Sequence, residues 1–567
     1  MLRRFVALLS AALLIPATAS PATAAPLPGQ PESAISSPDQ DSVLPLGTPV
    51  LITGTARSSA PITAVDLSFD GGQTWESATT SDTWWAVDHT FTTPGPVAVL
   101  SRASTATGVQ PAPFPQRHFW VGRGPRAPLN CTTCSLRLPN RVDTTFTAVD
   151  PDPRPVELGT RFQVDRPGFI TGVDSYNAYD QGEGVRLGRL WTADGELLGE
   201  ATLAYPWSST FTFPTPIPVQ PGVTYVAGHY VPWGHYPVTE NYFAAAVVQA
   251  PFVVGQGAGV YRYADDGSEG VPTESYANSH YSVTPVFASP AGVPAQDRVQ
   301  SSISSPGPNN VLPLGSPVLV AGSASYRTWS SAPEKQITGV DVSFDAGQTW
   351  ESAAVRGSFS QATWSTTHTF TSPGLASVLT RASSASDVQP APFPQQHFWI
   401  GQGPQALLPC TSCALTLPGR ADTTFTDTAA DPRPVEVGTR FQVDRPGVIT
   451  GIRADNRHYP AEGTRAVRLW TADGQLLGEV QSTQTSLWEF TFTTPIPVQP
   501  GITYVATHYT PWGRYPVIEN YFTAAVVQAP FVTAPNAGVY RYADDGSKEV
   551  PTESFASSSY LVTPVFG

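Results

Sequence analysis

The sequence predicts an all-β protein built as tandem β-sandwiches, and three observations lead there. Proline and glycine, 58 and 47 of the 567 residues, are spread along the whole chain and leave few uninterrupted windows for a helix of ordinary length. Apolar and polar residues alternate with period two in many short runs, as in strands with one buried face. A long block also occurs twice: Val156 to Phe287 opens V-E-L-G-T-R-F-Q-V-D, Val435 to Phe566 opens V-E-V-G-T-R-F-Q-V-D, and positions correspond by a constant shift of 279. The length suggests about four domains. They alternate small and large, over 33–124, 131–287, 299–403 and 410–567, with a Pro/Gly/Ala-rich linker at 288–298 between the halves.

Composition narrows the partners. The formal net charge is −14, and no Lys/Arg cluster occurs beyond the N-terminus, so a polyanion such as nucleic acid would be repelled. Hydrophobic residues at 41% and aromatics at 11% supply several cores, which argues against disorder.

Residues 1–24 have the three-part form of a secretory signal: Arg3 and Arg4, an apolar run from Phe5 to Pro16, and Ala22-Thr23-Ala24 as the cleavage motif. The apolar run is shorter than the ~20 residues a membrane span needs, and no other stretch is long and apolar enough. The expectation is a secreted, extracellular product with no membrane span.

In the first small unit Val65, Leu67 and Phe69 alternate with Asp66, Ser68 and Asp70, and S-F-D-G-G-Q-T-W follows at Ser68 to Trp75. Asp-Gly-Gly suits a tight hairpin because glycine accepts positive φ. The string returns as S-F-D-A-G-Q-T-W at Ser343 to Trp350. Both resemble the Asp-box hairpin of sialidase propellers, but a propeller needs that repeat every 40–50 residues or so, so a structural hairpin is expected. The runs after it, Trp84-Trp85, T-F-T-T-P-G-P-V-A-V-L-S-R-A and V-Q-P, with close counterparts in the second copy, resemble the immunoglobulin-like dimerisation module of molybdenum-cofactor oxidoreductases. Nothing in the chain resembles the cofactor domain of those enzymes. The resemblance therefore implies two immunoglobulin-like sandwiches and no redox chemistry or cofactor.

Cysteines stand between small and large units as Cys131-Thr-Thr-Cys134 and Cys410-Thr-Ser-Cys413. For an exported protein a local disulfide within each pair is the commonest arrangement. A zinc site joining both pairs would need distant segments to meet. A redox pair would want a helix N-terminus, which the flanks S-L-R-L-P and A-L-T-L-P do not suggest. Free thiols are the remaining reading.

In the large unit Val156, Leu158, Thr160, Phe162 and Val164 face one way and Glu157, Arg161, Gln163 and Asp165 the other. Further short strands follow: R-L-W-T-A-D-G with its Asp194-Gly195 turn, Phe211 to Phe213, Val223 to Tyr230, and Gly259 to Tyr263. Their spacing suggests a jelly-roll-like antiparallel sandwich in each copy, with Trp191 and Trp470 as core. The ordered motifs V-E-L-G-x-R-F, R-L-W-T-A-D-G, P-I-P-V-x-P-G-x-T-Y-V-A, P-W-G-H-Y, N-Y-F-A-A and G-V-Y-R-Y resemble the bacterial domain of unknown function 4082 through nearly the whole of both units. The resemblance implies a secreted module and no established activity. A histidine usual before the family's Trp strand is missing, since the chain reads G-V-R-L-G-R-L-W and T-R-A-V-R-L-W, and no role tied to it transfers.

A site served by both copies should keep its side chains in both. His229 and His235 correspond to His508 and Arg514, and arginine does not ligate metals, so no shared metal site is expected. Asp265-Asp266-Gly267 and Asp544-Asp545-Gly546 recur; adjacent carboxylates on a strand point to opposite faces, so a turn is expected, with a calcium loop as the lesser reading. No nucleophile elbow, zinc-helix motif or phosphate loop occurs. The candidate ligand-binding residues lie in P-W-G-H-Y-P-V-T-E-N-Y-F: Trp233, Tyr236, Glu240 and Asn241, with Trp512, Tyr515, Glu519 and Asn520 as counterparts. Prolines and a glycine could hold the aromatic faces toward solvent to stack on sugar rings while Glu and Asn meet hydroxyls. The alternative is that these aromatics cap the sandwich and are buried. The expected function is non-enzymatic binding or surface interaction, with polysaccharide or cell-surface glycan as ligand class. Its rivals are a structural spacer or oligomerisation module and a hydrolase of an extracellular polymer.

Overall fold

The structure, a computed structural model, describes residues 30–127, 129, 131–147, 152–175, 185–203, 208–264, 269–290, 298–326, 332–358, 360–406, 412–426, 433–454, 464–484, 488–544 and 546–567. The expected signal peptide, Cys410, Asp265 to Gly267, Asp545 and residues 291–297 of the linker lie outside them. The described chain is almost wholly β, in tandem two-sheet sandwiches.

In the first small sandwich one sheet runs Glu32–Ser37, Pro49–Arg57, Trp84–Thr90, Thr79–Ser81. The other centres on Gln116–Val121, Gly95–Thr105 and Ile62–Ser68. Trp85 is fully buried between them, and Gly54 makes the room: a Cβ there would lie 2.1 Å from the indole ring. Trp364 and Gly322 repeat this in the second small unit.

In the first large sandwich a four-stranded sheet of Thr133–Ser135, Val283–Ala288, Gly168–Ser175 and Thr210–Val219 faces a larger one centred on Leu187–Thr192, Tyr225–Val231 and Val156–Val164. Alternation in the opening strand places Val156, Leu158, Phe162 and Val164 in the core. Its other face departs from the expectation. Glu157 is only 2% exposed, because Trp191, Val226, Val260 and the partly buried Val271 form a separate cluster over the outer side of that sheet. Trp191 is thus buried, though in this outer layer rather than between the sheets, and Trp470 does the same with Val505, Val539 and Val550. Cys131 and Cys134 form a disulfide with Cα atoms 6.0 Å apart where the first strand of the large unit joins its last: Cys134 pairs with Phe287. Cys413 is disulfide-bonded as well.

Small and large units are fused. Ala246 of the large unit donates its N–H to Pro49 O at 2.8 Å and accepts from Leu51 N–H at 2.9 Å; Leu51 belongs to the large unit's core, and Val248 to the small unit's. Ala525 repeats both bonds with Pro317 and Leu319.

The two halves meet through their small units, and the contact is reciprocal. Trp120 Nε1 donates to Gln395 Oε1 at 3.0 Å and Trp399 Nε1 to Gln116 Oε1 at 3.2 Å. Between these bonds the rings of His118 and His397 stack with centroids 4.4 Å apart. Residue i meeting j′ while j meets i′ is the signature of a two-fold interface, here formed inside one chain.

Candidate functional site

The expected binding loop leaves the strand Tyr225–Val231 through Pro232, Trp233 and Gly234. Gly234 has φ +74°, and a Cβ on it would sit 2.3 Å from Arg154 O and 2.4 Å from Asp152 O, so the loop is laid against the 152–154 segment where only glycine fits. This decides the fate of the aromatics. Tyr236 is 7% exposed, its ring edge-on to Tyr281 at 5.8 Å, and Trp233 is half-buried against the core. The open stacking platform expected from Trp233 and Tyr236 is therefore corrected at Tyr236, whose ring is spent on packing, while Trp233 keeps part of its surface exposed. In the second copy Tyr515 and Trp512 are likewise half-buried, Tyr515 lying edge-on to Tyr560 at 5.6 Å. Glu240 and Glu519 are half-buried at the ends of short strands that pair with Thr145–Thr147 and Thr424–Thr426. Asn241 and Asn520 are exposed at φ 60° and 59°, conformations asparagine tolerates better than most residues, and each starts a short 3-10 turn.

What the fold assembles around this loop is a cluster of tyrosines. The strand Gly259–Tyr263 pairs with Val156–Val164 so that Tyr261 lies opposite Leu158 and Tyr263 opposite Val156, on the core-facing side but only partly buried. Tyr261 and Tyr263 are 5.6 Å apart, centroid to centroid, and Tyr261 lies 6.3 Å from Tyr281. The Arg154 guanidinium covers Tyr263 at 3.4 Å, a cation–π contact. Tyr263 Oη donates to Asp152 Oδ2 at 2.5 Å, and Asp152 pairs with Arg154 at 2.8 Å. The second copy rebuilds it: Tyr540 and Tyr542 at 5.8 Å, Tyr540 and Tyr560 at 6.5 Å, and Arg433 over Tyr542 at 3.4 Å. The sequence held a clue in G-V-Y-R-Y, whose two tyrosines share a strand face and recur in both copies. Their meeting with Tyr236, Tyr281 and Arg154 is a product of the fold.

The electrostatics suit binding. Hydrogen bonds from Arg154 and Tyr263 hold the Asp152 carboxyl well below its usual range, and burial together with the bond to Asp152 pushes the Tyr263 phenol up to about 12. These groups keep their charge states across the ordinary pH range. They offer aromatic faces, hydroxyls and a guanidinium, with the acid already spent in an ion pair.

A second charged cluster, outside the candidate site residues of the sequence, lies under the outer cap. Arg189 donates to Glu157 Oε2 at 2.8 Å, Glu200 Oε2 at 2.6 Å and Glu269 Oε1 at 3.0 Å, and Arg468 holds Glu436 and Glu479 in the same way. Burial pushes the Glu157 carboxyl up to about 7 against the opposing pull of Arg189. Both Glu157 and Arg189 are 3% exposed or less, so this is a structural clamp rather than an open site. The signal was available: Glu157 and Arg189 both reappear 279 positions on.

The histidines considered as metal ligands serve otherwise. His229 is buried with Nδ1 2.7 Å from Ser175 Oγ, His508 is buried, and His235 and Arg514 are exposed. Burial pushes both His229 and His508 down to about 3. Among the described residues no group of three potential metal ligands converges. Asp544 pairs with Arg433 at 3.8 Å beside a turn in which Gly546 N–H bonds Ala543 O.

Residues 142–283 and 421–562, together half of the chain, match the family described as domain of unknown function (DUF4082). No curated protein matches the chain. Among solved structures, the fibronectin(III)-like modules of Clostridium thermocellum CbhA align at 9% identity over 65% of this chain and 93% of theirs, with a TM-score of 0.14. SGBP-B of the Bacteroides ovatus mixed-linkage glucan utilization locus, solved with a mixed-linkage heptasaccharide, aligns at 10% identity over 87% of this chain and all of its own, with a TM-score of 0.13.

Proposed function

The chain belongs to the DUF4082 family, whose domain it carries twice, and on that premise we propose that it is an exported, non-catalytic binding protein with a glycan-binding site in each large sandwich. The observation that carries this reading is the tyrosine cluster built twice: Tyr236, Tyr261, Tyr263 and Tyr281 under Arg154, and Tyr515, Tyr540, Tyr542 and Tyr560 under Arg433. Phenol faces stack on the C–H faces of sugars and their hydroxyls meet sugar hydroxyls. Tyr261 and Tyr540 are only partly buried and offer the accessible faces, since Arg154 and Arg433 already cover Tyr263 and Tyr542; Trp233 and Trp512 stand half-buried in the neighbouring loop of each copy. Glu240, Asn241, Glu519 and Asn520 flank the loop as further polar contacts. Export is supported by the signal-like N-terminus and by the disulfide at Cys131 and Cys134.

The test is retention of residues 25–567 on a panel of insoluble polysaccharides and bacterial cell walls, beside the Tyr261→Ala plus Tyr540→Ala variant. The parent is expected to be retained on at least one, and the variant to lose tenfold or more while keeping its far-UV circular dichroism. No retention of the parent, or equal retention of both, overturns the proposal. A spacer or oligomerisation role is the second reading, favoured by the reciprocal Trp–Gln bonds between the small units, the kind of contact that a resemblance to a dimerisation module implies.

A further inference from the structure

The interface between the halves is nearly symmetric, and its departure from symmetry falls on its two histidines. His118 and His397 are both buried and their rings stack at 14°. His397 is well supplied with partners: Nδ1 meets Ser377 Oγ at 2.6 Å and Nε2 meets Asp41 Oδ1 of the other half at 2.7 Å. At the matching places around His118 stand Ala98, its cross-strand neighbour as Ser377 is that of His397, and Asn309, which mirrors Asp41. Asp41 and Asn309 have φ 64° and 63°, and each donates its N–H to the carbonyl of its own half's histidine, Asp41 to His118 and Asn309 to His397. Asn309 Oδ1 and His118 Nε2 are both buried without a hydrogen-bond partner. Among the described residues, the only side-chain hydrogen-bond partner of His118 is Gln40, with Nε2 3.4 Å from Nδ1.

We propose that this contact is a proton-sensitive latch: His397 has the Asp41 carboxylate beside it but His118 has none, so a proton taken up by His118 stays uncompensated in the closed form and acidification separates the two halves. The remaining charged groups on the surrounding elements do not alter the balance. Asp39, on the loop of Asp41, and Arg117, next to His118, interact with each other, and Arg117 donates to the Ser36 and Pro38 carbonyls. From the second half come Asn309, Asn310 and Gln395, all uncharged. A cleft of about 330 Å³ bounded by Asp41, Ser302, Ile303 and Phe393 to Gln396 lies beside the latch on the Asp41 side.

Burial and the neighbouring His397 hold His118 well below its ordinary value near 6.5. The closed form therefore takes up a proton less readily than the open form, in which His118 faces water. Closure is at full strength above about pH 6.5, and below it the closed-to-open ratio falls by up to tenfold per pH unit.

The experiment is small-angle X-ray scattering of residues 25–567 from pH 7.5 to pH 4.5, with circular dichroism on the same samples. The parent should expand at constant β-signal. His118→Gln, which cannot take the proton, should stay compact throughout. Asn309→Asp, which gives His118 the carboxylate that His397 already has, should open about one pH unit lower. A parent whose dimensions do not change, an expansion that comes only with loss of β-signal, or the same opening pH in all three proteins overturns the latch.

Discussion

The two copies of the buried clamp differ at a hydroxyl, besides Glu269, which bonds Arg189 where the second copy has Lys548 pairing with Glu479. In the second copy Thr507 Oγ1 donates to Glu436 Oε1 at 2.5 Å and accepts from Trp470 Nε1 at 3.1 Å. The first copy has Gly228 there, and Glu157 Oε1 and Trp191 Nε1 are left buried without a partner. Losing a buried hydroxyl that serves two polar groups exposes each to its desolvation cost. Thr507→Ala should therefore destabilise the second large sandwich by about 1–3 kcal/mol, read as a lower urea midpoint with an unchanged slope. The Asp-box hairpin makes a related point. Its glycines were legible, with Gly71 and Gly72 at φ +75° and +92°. The turn, however, is held by the Asp70 carboxylate, which accepts from the N–H groups of Gln73 and Thr74 at 2.9 Å and from Thr74 Oγ1 at 2.6 Å. Asp345 does the same for Thr349, where Ala346 sits at φ 63° in place of a glycine.

At the scale of elements, the strand Pro49–Arg57 serves two cores. Its alternation buries Val50 and Ile52 in the small sandwich while Leu51 packs into the large one. Arg141 reinforces the joint, reaching from the large unit to Asp88 at 2.6 Å and to its own neighbour Asp143 at 2.8 Å. Leu51→Ala is expected to cost about 2–5 kcal/mol, the usual range for emptying a buried leucine site. Because the cavity opens on the large unit, hydrogen exchange should quicken along Val156–Val164 as well as in the small sandwich. Faster exchange confined to the small unit would show that the two do not share a core.

At the scale of the molecule, each half is one fused pair of sandwiches and the halves are joined by a polar, aromatic two-fold contact. Ala98, Leu100 and Trp399 are buried there, with Trp75, Phe114, Val311 and Leu375 packed around them, which gives the reciprocal hydrogen bonds an apolar centre of the kind that holds stable interfaces. A protease site placed within residues 291–297 should thus yield two fragments that still co-elute at micromolar concentration and neutral pH. The Trp120→Ala plus Trp399→Ala variant, cut at the same place, should elute as separate halves. Fragments of the parent that separate on cutting would mean that the linker alone holds the halves together.

The sequence by itself determined the β class, the duplication and the strand faces, since each is written in local features: turn residues, period-two alternation and a constant offset of 279. It also placed a loop beside the candidate site, because Pro-Trp-Gly-x-Tyr marks a rigid aromatic turn in both copies. Only the tertiary structure decided which rings face outward. Tyr236 is buried by Tyr281 and Glu157 by a cap that includes Val271, and neither partner is near in the chain. The meeting of His118 with His397 is farther still from local pattern, because it depends on how two folded halves dock. Burial and pairing are sums over neighbours brought together by the fold, and a local pattern fixes only which side of a strand a residue takes.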